Sequence, residues 1–305
     1  MRKYIFIFLI AISVCLTGCM NIEDILPTEA ITTNPTNEDI TENIPTEEIT
    51  EAEQLEGIEA QAAELIDDSI KAALTALKKI YRDPNIPTES MAVTPYANPD
   101  DLIEKHTPQR QWLFKELLKY GYEETAFTIK SEDYSGDNLI IDYLTVCTDL
   151  MHYEPRLDCY YDIEMTGYDE LTDLFFDPDK DANFPVEVGS TEFQEVQGKM
   201  ALMDAVIKRI VKKMLENLSV YERYYYLACV VAHHTTYDEP RNAHTAYGSL
   251  IGGQSVCEGY SEAFLLLCRE AGLYCRLVSG LAAGGQGHQW NAIMLDNQVY
   301  YTDVT

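Results

Sequence analysis

The residues best suited to chemistry in this sequence surround Cys257, within the run Gly252–Phe264. Ser255 and Glu258 stand in the S-x-x-E arrangement of a capping box, so we expect Ser255 to be the N-cap of a helix. Cys257 would then lie in the first helical turn, where free backbone N–H groups and the helix dipole stabilise an anion. A nearby histidine lowers the pKa of such a thiol further. The pattern therefore predicts an activated cysteine nucleophile.

A cysteine nucleophile needs a base, and the base needs an orienting partner. His288 is the one histidine that follows Cys257 in the sequence, and Asp303 lies on the next predicted strand. With a tight turn at residues 296–297, the position opposite Asp303 falls near Trp290, although alternation leaves the pairing open by one residue. A cysteine on a helix with His and Asp on neighbouring strands is the papain-type geometry.

The donors that would hold a developing oxyanion are less determined by the sequence. The backbone N–H of Cys257 is one candidate, and the side chain of Gln254, three residues upstream, is another. Tyr247 could line the site or donate, and Trp290, two residues after the predicted base, is expected as a substrate contact. Gln254 as an ordinary polar loop residue and Tyr247 as a packing aromatic remain equally open.

The sequence predicts neither a metal nor a cofactor. His233, His234 and His244 have no acidic or cysteine partner at ligand spacing. The segment Asp177–Asp181 has the acidic character of a calcium loop but lacks its glycine and its downstream glutamate, which favours an exposed turn. Of the eight cysteines in the chain, none is spaced as in a zinc knuckle or a C-x-x-C redox pair.

The segment Tyr221–Thr305 resembles the transglutaminase-like superfamily, which contains bacterial and archaeal relatives of animal transglutaminases. The matching segments, in family order and at family-like spacing, are Tyr237-Asp238, Thr245-Ala246-Tyr247-Gly248, Cys257-Glu258-Gly259-Tyr260, Ala271-Gly272-Leu273, Val278-Ser279-Gly280, His288-Gln289-Trp290-Asn291 and Tyr301-Thr302-Asp303-Val304-Thr305.

The resemblance implies an α+β fold with a papain-like, transglutaminase-like core, in which the cysteine-bearing helix packs on an antiparallel sheet. It also implies Cys257 as nucleophile, His288 as general base and acid, and Asp303 as the orienting group. The sequence departs from the family at Ala228-Cys229, where relatives often carry a His-Asp pair. Relatives also continue beyond the position of Thr305 with Trp and at least one more strand, so either the chain continues or the sheet is unusually short.

The N-terminus has the features of an export signal. Arg2 and Lys3 form a positive n-region, and Ile5–Cys15 forms an apolar segment too short to span a membrane. Leu16–Cys19 resembles the lipobox of bacterial lipoproteins, which implies that Cys19 is diacylated and becomes the mature N-terminus. A plain cleaved secretory signal is the alternative. Lipidation would place the chain on the extracytoplasmic face of the cell membrane.

Composition and sequence patterns divide the chain into four regions. We expect a signal peptide with lipobox over 1–19, a disordered acidic Thr/Pro-rich tether over 20–54, an N-terminal α+β region over 55–200 and the catalytic domain over 201–305. The formal net charge is -29, which argues against nucleic acid as a partner.

Periodicity predicts the secondary structure that positions the site. Helices are expected over 55–81, 101–120, 198–218 and 219–233, the last opened by a second S-x-x-E box, and over 257–271. Strands are expected over 125–130, 139–146, 273–279, 289–295 and 298–304, with a further strand pair over 153–165.

Three functions fit these observations. The first is a surface-anchored cysteine hydrolase that cleaves an amide or peptide bond of a protein or peptide outside the cell. The second is a protein-crosslinking transglutaminase, in which an amine replaces water. The third is a binding or scaffold lipoprotein whose catalytic fold has lost its activity.

Overall fold

The computed structural model describes residues 51–80, 100–123, 128–129, 134–136, 138–160, 182–183, 191–238, 243–282 and 285–305. The predicted signal peptide, Cys19, most of the tether and the acidic turn at residues 177–181 lie outside these ranges. Within them, none of the helices combines the length and the apolar character that crossing a membrane requires.

The described part of the chain mixes helices with small sheets. The helices are α1 (Glu51–Leu77), α2 (Asp100–Glu104), α3 (Pro108–Glu123), α4 (Leu139–Tyr153), α5 (Thr191–Lys212), α6 (Val220–His234), α7 (Ala246–Leu250) and α8 (Cys257–Glu270), with a 3-10 helix at Pro155–Tyr160. The strands are β1 (Thr128–Ile129), β2 (Ala182–Asn183), β3 (Thr236–Tyr237), β4 (Gln254–Ser255), β5 (Cys275–Leu281), β6 (Gly287–Leu295) and β7 (Gln298–Thr302). This content agrees with the predicted α+β class.

The strands pair in three small groups. β1 pairs with β2 antiparallel, and β3 pairs with β4 parallel. The third sheet has the order β5-β6-β7, in which β6 and β7 are antiparallel. The turn between them has positive φ at both Asp296 (49°) and Asn297 (60°), as a two-residue type I′ hairpin requires. The predicted hairpin is therefore confirmed.

Contacts within the chain divide it into two compact units. One comprises Met1–Leu55 and Gly280–His288, and the other comprises Glu56–Ser279 and Gln289–Thr305. In the first unit the described turn is closed by Ala282, whose N–H donates to the Gln286 carbonyl over 2.9 Å. The second unit holds the hydrophobic core. The predicted boundary between residues 200 and 201 stays a prediction.

The strand predicted at residues 139–146 is wrong, because these residues begin helix α4. The side chain of Asn138 accepts the N–H of Ile141 and caps the helix N-terminus. Leu139, Val146 and Leu150 are buried on one face, at the spacing of a helix. Burial of that stripe outweighs the β-propensity of the individual residues. The strand pair predicted at 153–165 is also wrong where the chain is described, since Pro155–Tyr160 is a 3-10 helix.

The other predicted helices are confirmed with changed ends. The helix predicted at 101–120 is two helices, α2 and α3, which are separated just before Pro108, and α3 continues past Gly121. α5 begins at Thr191, and its Met200 and Met203 are buried core residues. Ser219 and Glu222 form a complete capping box at the start of α6.

The core of the second unit lies between α8 and the helices that precede it. α8 packs against α5, α6 and α7, and its residues Gly259 to Cys268 are all buried. Tyr226 of α6 and Phe264 of α8 are among the largest fully buried side chains. Burying such a side chain contributes about 1.5–3 kcal/mol, so this helical packing positions the first turn of α8.

Candidate active site

Cys257 is the first residue of α8, as predicted, but the predicted cap is wrong. The N-cap is Val256, in an extended conformation and without a side-chain cap. Ser255 belongs to β4, is fully buried, and donates its hydroxyl hydrogen to the carbonyl of Ala243. The parallel pairing of β3 with β4 holds Ser255 opposite Tyr237, which turns its side chain to a different partner.

The environment of Cys257 opposes ionisation. The thiol is half-buried, and burial raises its pKa, with the adjacent Glu258 carboxylate adding to the rise. The backbone amides of Gln289, Glu258 and Cys257 itself act in the opposite direction. The sequence had favoured a lowered pKa, but the helix start is covered by protein, so the cost of desolvating the thiolate is the largest effect.

β6 is joined to α8 by a buried polar network one turn beyond Cys257. Nε2 of Gln289 donates to Oγ of Ser261 over 2.8 Å, and Nδ2 of Asn291 donates to the Ser261 carbonyl over 2.9 Å. Gln289 is 4 % exposed and Asn291 is fully buried. Because a buried polar group without a partner is costly, these bonds fix the register of the strand against the helix.

His288 is half-buried on β6 and directly precedes Gln289 in the chain. On the facing strand, Asn291 pairs with Thr302, so continuing the antiparallel register by one residue places Trp290 opposite Asp303. The register of the hairpin therefore agrees with the prediction, while the pairing itself ends at Asn291 and Thr302. β7 ends at Thr302, however, so Asp303 lies just beyond the strand, where its Oδ1 accepts the N–H of Thr305 over 3.1 Å. The Cys257–His288–Asp303 triad stays a prediction.

The three residues predicted to bind substrate or oxyanion lie on different elements. Gln254 is exposed on β4, and its Nε2 donates to Oδ2 of Asp238 over 3.0 Å. Tyr247 is half-buried on α7 and packs against the core, with Lys199 Nζ 5.6 Å from its ring centroid. Trp290 is half-buried on β6. Their roles in binding stay predictions.

Two polar groups close to Cys257 were not predicted as site residues. Gln289 occupies a buried position of an alternating strand, where an apolar residue is usual; that mismatch is a signal in the sequence. Glu258, the neighbour of Cys257, lies 2.6 Å from Nδ1 of His244. No local pattern in the sequence indicates the Glu258–His244 pair, because the two residues are 14 positions apart and the loop before α7 brings His244 to the start of α8.

Two of the histidines that were considered as metal ligands, His234 and His244, have other contacts. Nε2 of His234 lies 2.9 Å from the Leu250 carbonyl, which acts as its acceptor. His233 is exposed on the last turn of α6. In the described ranges, no cluster of three or more His, Cys, Asp or Glu side chains has an arrangement that could hold a metal ion.

Residues 205–302 match the sequence profile of the transglutaminase-like superfamily. These residues form a transglutaminase-like domain. The match runs from within α5 to the last residue of β7 and includes Cys257 and His288. Members of the superfamily are generally cysteine-dependent enzymes, so the domain indicates a cysteine-based acyltransferase or protease family. No curated protein matches the chain.

Proposed function

We propose that this protein is a cysteine acyl-transfer enzyme that hydrolyses an amide or peptide bond through Cys257, His288 and Asp303. The observation that carries the proposal is the buried hydrogen-bond network that joins Gln289 and Asn291 of β6 to Ser261 of α8, one turn after Cys257. Because His288 is the residue before Gln289, this network supports a proposed base on the strand that is fixed against the helix of the proposed nucleophile. The half-buried thiol at a helix start suits a nucleophile that is activated only when its base acts on it.

The proposed reaction has two steps. In the first, the Cys257 sulphur attacks the carbonyl carbon, a C–S bond forms, and the C–N bond breaks as His288 gives the cysteine's proton to the leaving amine. In the second, His288 takes a proton from water, which attacks the thioester carbon. The C–S bond breaks, the acid leaves, and His288 returns the proton to the Cys257 sulphur. Asp303 orients the imidazole throughout.

We further propose that this chemistry takes place outside the cell. The basic n-region, the short apolar segment and the lipobox at Cys19 support export and lipid anchoring. In cells fed a labelled fatty acid, the wild-type chain is expected to carry the label in the membrane fraction. Cys19→Ala should lose it, while Cys15→Ala, a change within the apolar signal, should retain it. Label remaining on Cys19→Ala would contradict the anchoring proposal.

The test of the activity uses the purified full chain with a glutamine-containing peptide and a labelled primary amine. Hydrolysis predicts release of ammonia and conversion of the glutamine to glutamate within the peptide, without incorporation of the amine. Cys257→Ala should abolish the release. Cys229→Ala is the matched control, because Cys229 is another half-buried free thiol, on α6. Incorporation of the amine would instead support the crosslinking transglutaminase.

The raised pKa of Cys257 is the one observation that favours the third candidate, an inactive binding lipoprotein. The rate of thiol alkylation at pH 6, followed site by site with mass spectrometry, distinguishes the enzyme from the inactive lipoprotein. If the protein is an enzyme, Cys257 should react faster than Cys229, because the proposed base His288 assists ionisation of the Cys257 thiol. Equal rates, together with unchanged activity in Cys257→Ala, would support the scaffold and reject the enzyme.

A further inference from the structure

A groove of about 560 Å³ lies between helices α1 and α6 of the second unit. Its apolar lining comes from Ala72 and Ala76 of α1 and from the ring of Tyr225 of α6, all of them half-buried. Because an alanine side chain is a single methyl group, the two alanines leave space beside the tyrosine ring. Small-molecule sites in proteins have volumes of about 300–1,000 Å³, so the groove has room for a ligand with a small apolar body.

The titratable side chains that line the groove are basic apart from the tyrosine. Lys71 lies on α1, Lys79 lies in the turn just after it, and His233 lies in the last turn of α6. All three residues are exposed. None of the described residues that line the groove is acidic, although the chain has 51 acidic and 22 basic residues. The local charge is therefore opposite to that of the whole chain, and it favours an anionic ligand.

The carboxylates close to the groove do not neutralise these cations. Asp67 is bound by Arg209, whose Nε and Nη2 each donate to it over 2.7 Å. Asp68 lies 2.8 Å from Lys71 Nζ, but both side chains are largely exposed, and solvent screening makes such a surface ion pair weak. Within the described ranges, no carboxylate pairs with Lys79. An entering anion can therefore replace Asp68 at one lysine and meets no competitor among these residues at the other.

We propose that this groove is a binding site for a small organic phosphate monoester, whose phosphate pairs with Lys71 and Lys79 and whose apolar body lies along the Tyr225 ring. The two lysines are eight residues apart, which is about 12 Å along a helix. Their flexible four-carbon side chains can approach one anion from both sides. Lysine binds phosphate as a point charge, whereas the planar fork of arginine, which matches a carboxylate, is absent from the described lining.

The charge of the whole chain limits the size of the anion. A formal net charge of -29 repels a polyanion or a strongly anionic surface, while a small monoester needs only the local positive charge. A lipid headgroup offers the same phosphate chemistry, so the experiment includes both sources. None of the proposed catalytic residues lines the groove. The site is therefore inferred independently of the proposed cysteine chemistry.

The experiment measures the binding of phenyl phosphate to the purified full chain by isothermal titration calorimetry at low ionic strength. We expect phenyl phosphate to bind more tightly than inorganic phosphate, which lacks the apolar body, and phenol, which lacks the charge, not to bind. Lys79→Met should weaken the binding of phenyl phosphate about threefold to tenfold, because it removes one charged donor. Lys78→Met is the matched control, since Lys78 is the adjacent exposed lysine and does not line the groove. It should bind phenyl phosphate as the wild type does.

A second variant tests the shape of the groove without changing its charge. Ala76→Leu places a larger side chain in the space beside the Tyr225 ring, so it should weaken the binding of phenyl phosphate but leave that of inorganic phosphate nearly unchanged. Thermal unfolding without ligand checks that each variant is folded. Equal affinities of Lys79→Met and Lys78→Met for phenyl phosphate would overturn the inference, as would no binding of phenyl phosphate to the wild type.

Vesicles of phosphatidylglycerol and of phosphatidylcholine distinguish the two sources of phosphate. An acyl chain or an apolar leader attaches the protein to both vesicles alike, so the comparison isolates the effect of headgroup charge. We expect the wild type to co-sediment equally with the two. A preference for phosphatidylglycerol that Lys79→Met removes and Lys78→Met keeps, without binding of phenyl phosphate, would reject the small monoester in favour of a lipid headgroup. Because these measurements need no turnover, their failure is distinct from a failure of amide hydrolysis.

Discussion

Arg269, in the last turn of α8, donates to the Glu154 carboxylate over 3.2 Å, although the two residues are 115 positions apart in the sequence. Glu154 is 5 % exposed and is also bound by Arg156, whose Nε and Nη2 donate over 2.7 and 2.9 Å. The helix that begins at Cys257 is thus attached at its far end to the segment after α4.

This relationship predicts a large loss of stability in Glu154→Gln. The change leaves two arginines around a neutral group, and breaking a buried pair costs about 3–5 kcal/mol when both partners are buried. Because the arginines are partly exposed, we expect about 2 kcal/mol in urea unfolding. Glu195→Gln is the control, since Glu195 is 63 % exposed beside Lys199, and should cost less than about 0.5 kcal/mol. Equal losses in the two variants would contradict the role of the buried network.

Gly259 is expected to tolerate no side chain. A Cβ there would overlap Ser255 Oγ and the Thr245 carbonyl, and would lie 3.0 Å from the Ala243 carbonyl. We expect Gly259→Ala to destabilise the chain by about 2–3 kcal/mol through overpacking. Gly198→Ala, on a helix surface with nothing within 4 Å of the new Cβ, should stabilise it by about 0.5–1 kcal/mol. Thermal unfolding compares the two, and a stable Gly259→Ala would show that the start of α8 can shift.

His234 should make stability depend on pH. Burial lowers its pKa, so the unfolded chain binds the proton more readily than the folded chain does. The stability is therefore complete above the unfolded value of about 6.5 and is lost as the pH falls through the lower folded value. We expect the free energy of unfolding in urea to fall between pH 7.5 and pH 5, and His234→Gln to reduce that fall. His233→Gln, at the exposed neighbouring position, should leave the pH dependence as it is in the wild type.

In the β6–β7 turn, replacing Asn297 by glycine or by alanine is expected to have opposite effects on stability. Asn297 has a φ of 60°, where glycine is unstrained and alanine is strained by about 1–2 kcal/mol. We expect Asn297→Gly to raise the thermal midpoint, because a type I′ turn favours glycine at its second position. Asn297→Ala should lower it. The same direction of change for both variants would show that backbone strain does not decide stability there.

Local patterns predicted several features near the site. The S-x-x-E box at Ser219, the start of α8 at Cys257 and the turn at residues 296–297 all depend on residues a few positions apart. Groups that lie so close together in the sequence meet in nearly any fold. The spacing of the residues alone was therefore sufficient to predict these features. The same spacing was misleading at Ser255, because a neighbouring loop offered the Ala243 carbonyl instead of the helix end.

The sequence by itself indicated Cys257 as the candidate nucleophile, the order of the candidate triad and the transglutaminase-like character of the C-terminal part. Only the tertiary structure decided that burial raises the pKa of the thiol and that Gln289 is anchored to Ser261. It also decided that Glu154 holds the end of α8. The physical reason is that desolvation and buried hydrogen bonds depend on which distant segments cover a residue. Such coverage is a property of the packed chain. The sequence can show that a polar residue such as Gln289 occupies a buried strand position, but not which partner covers it.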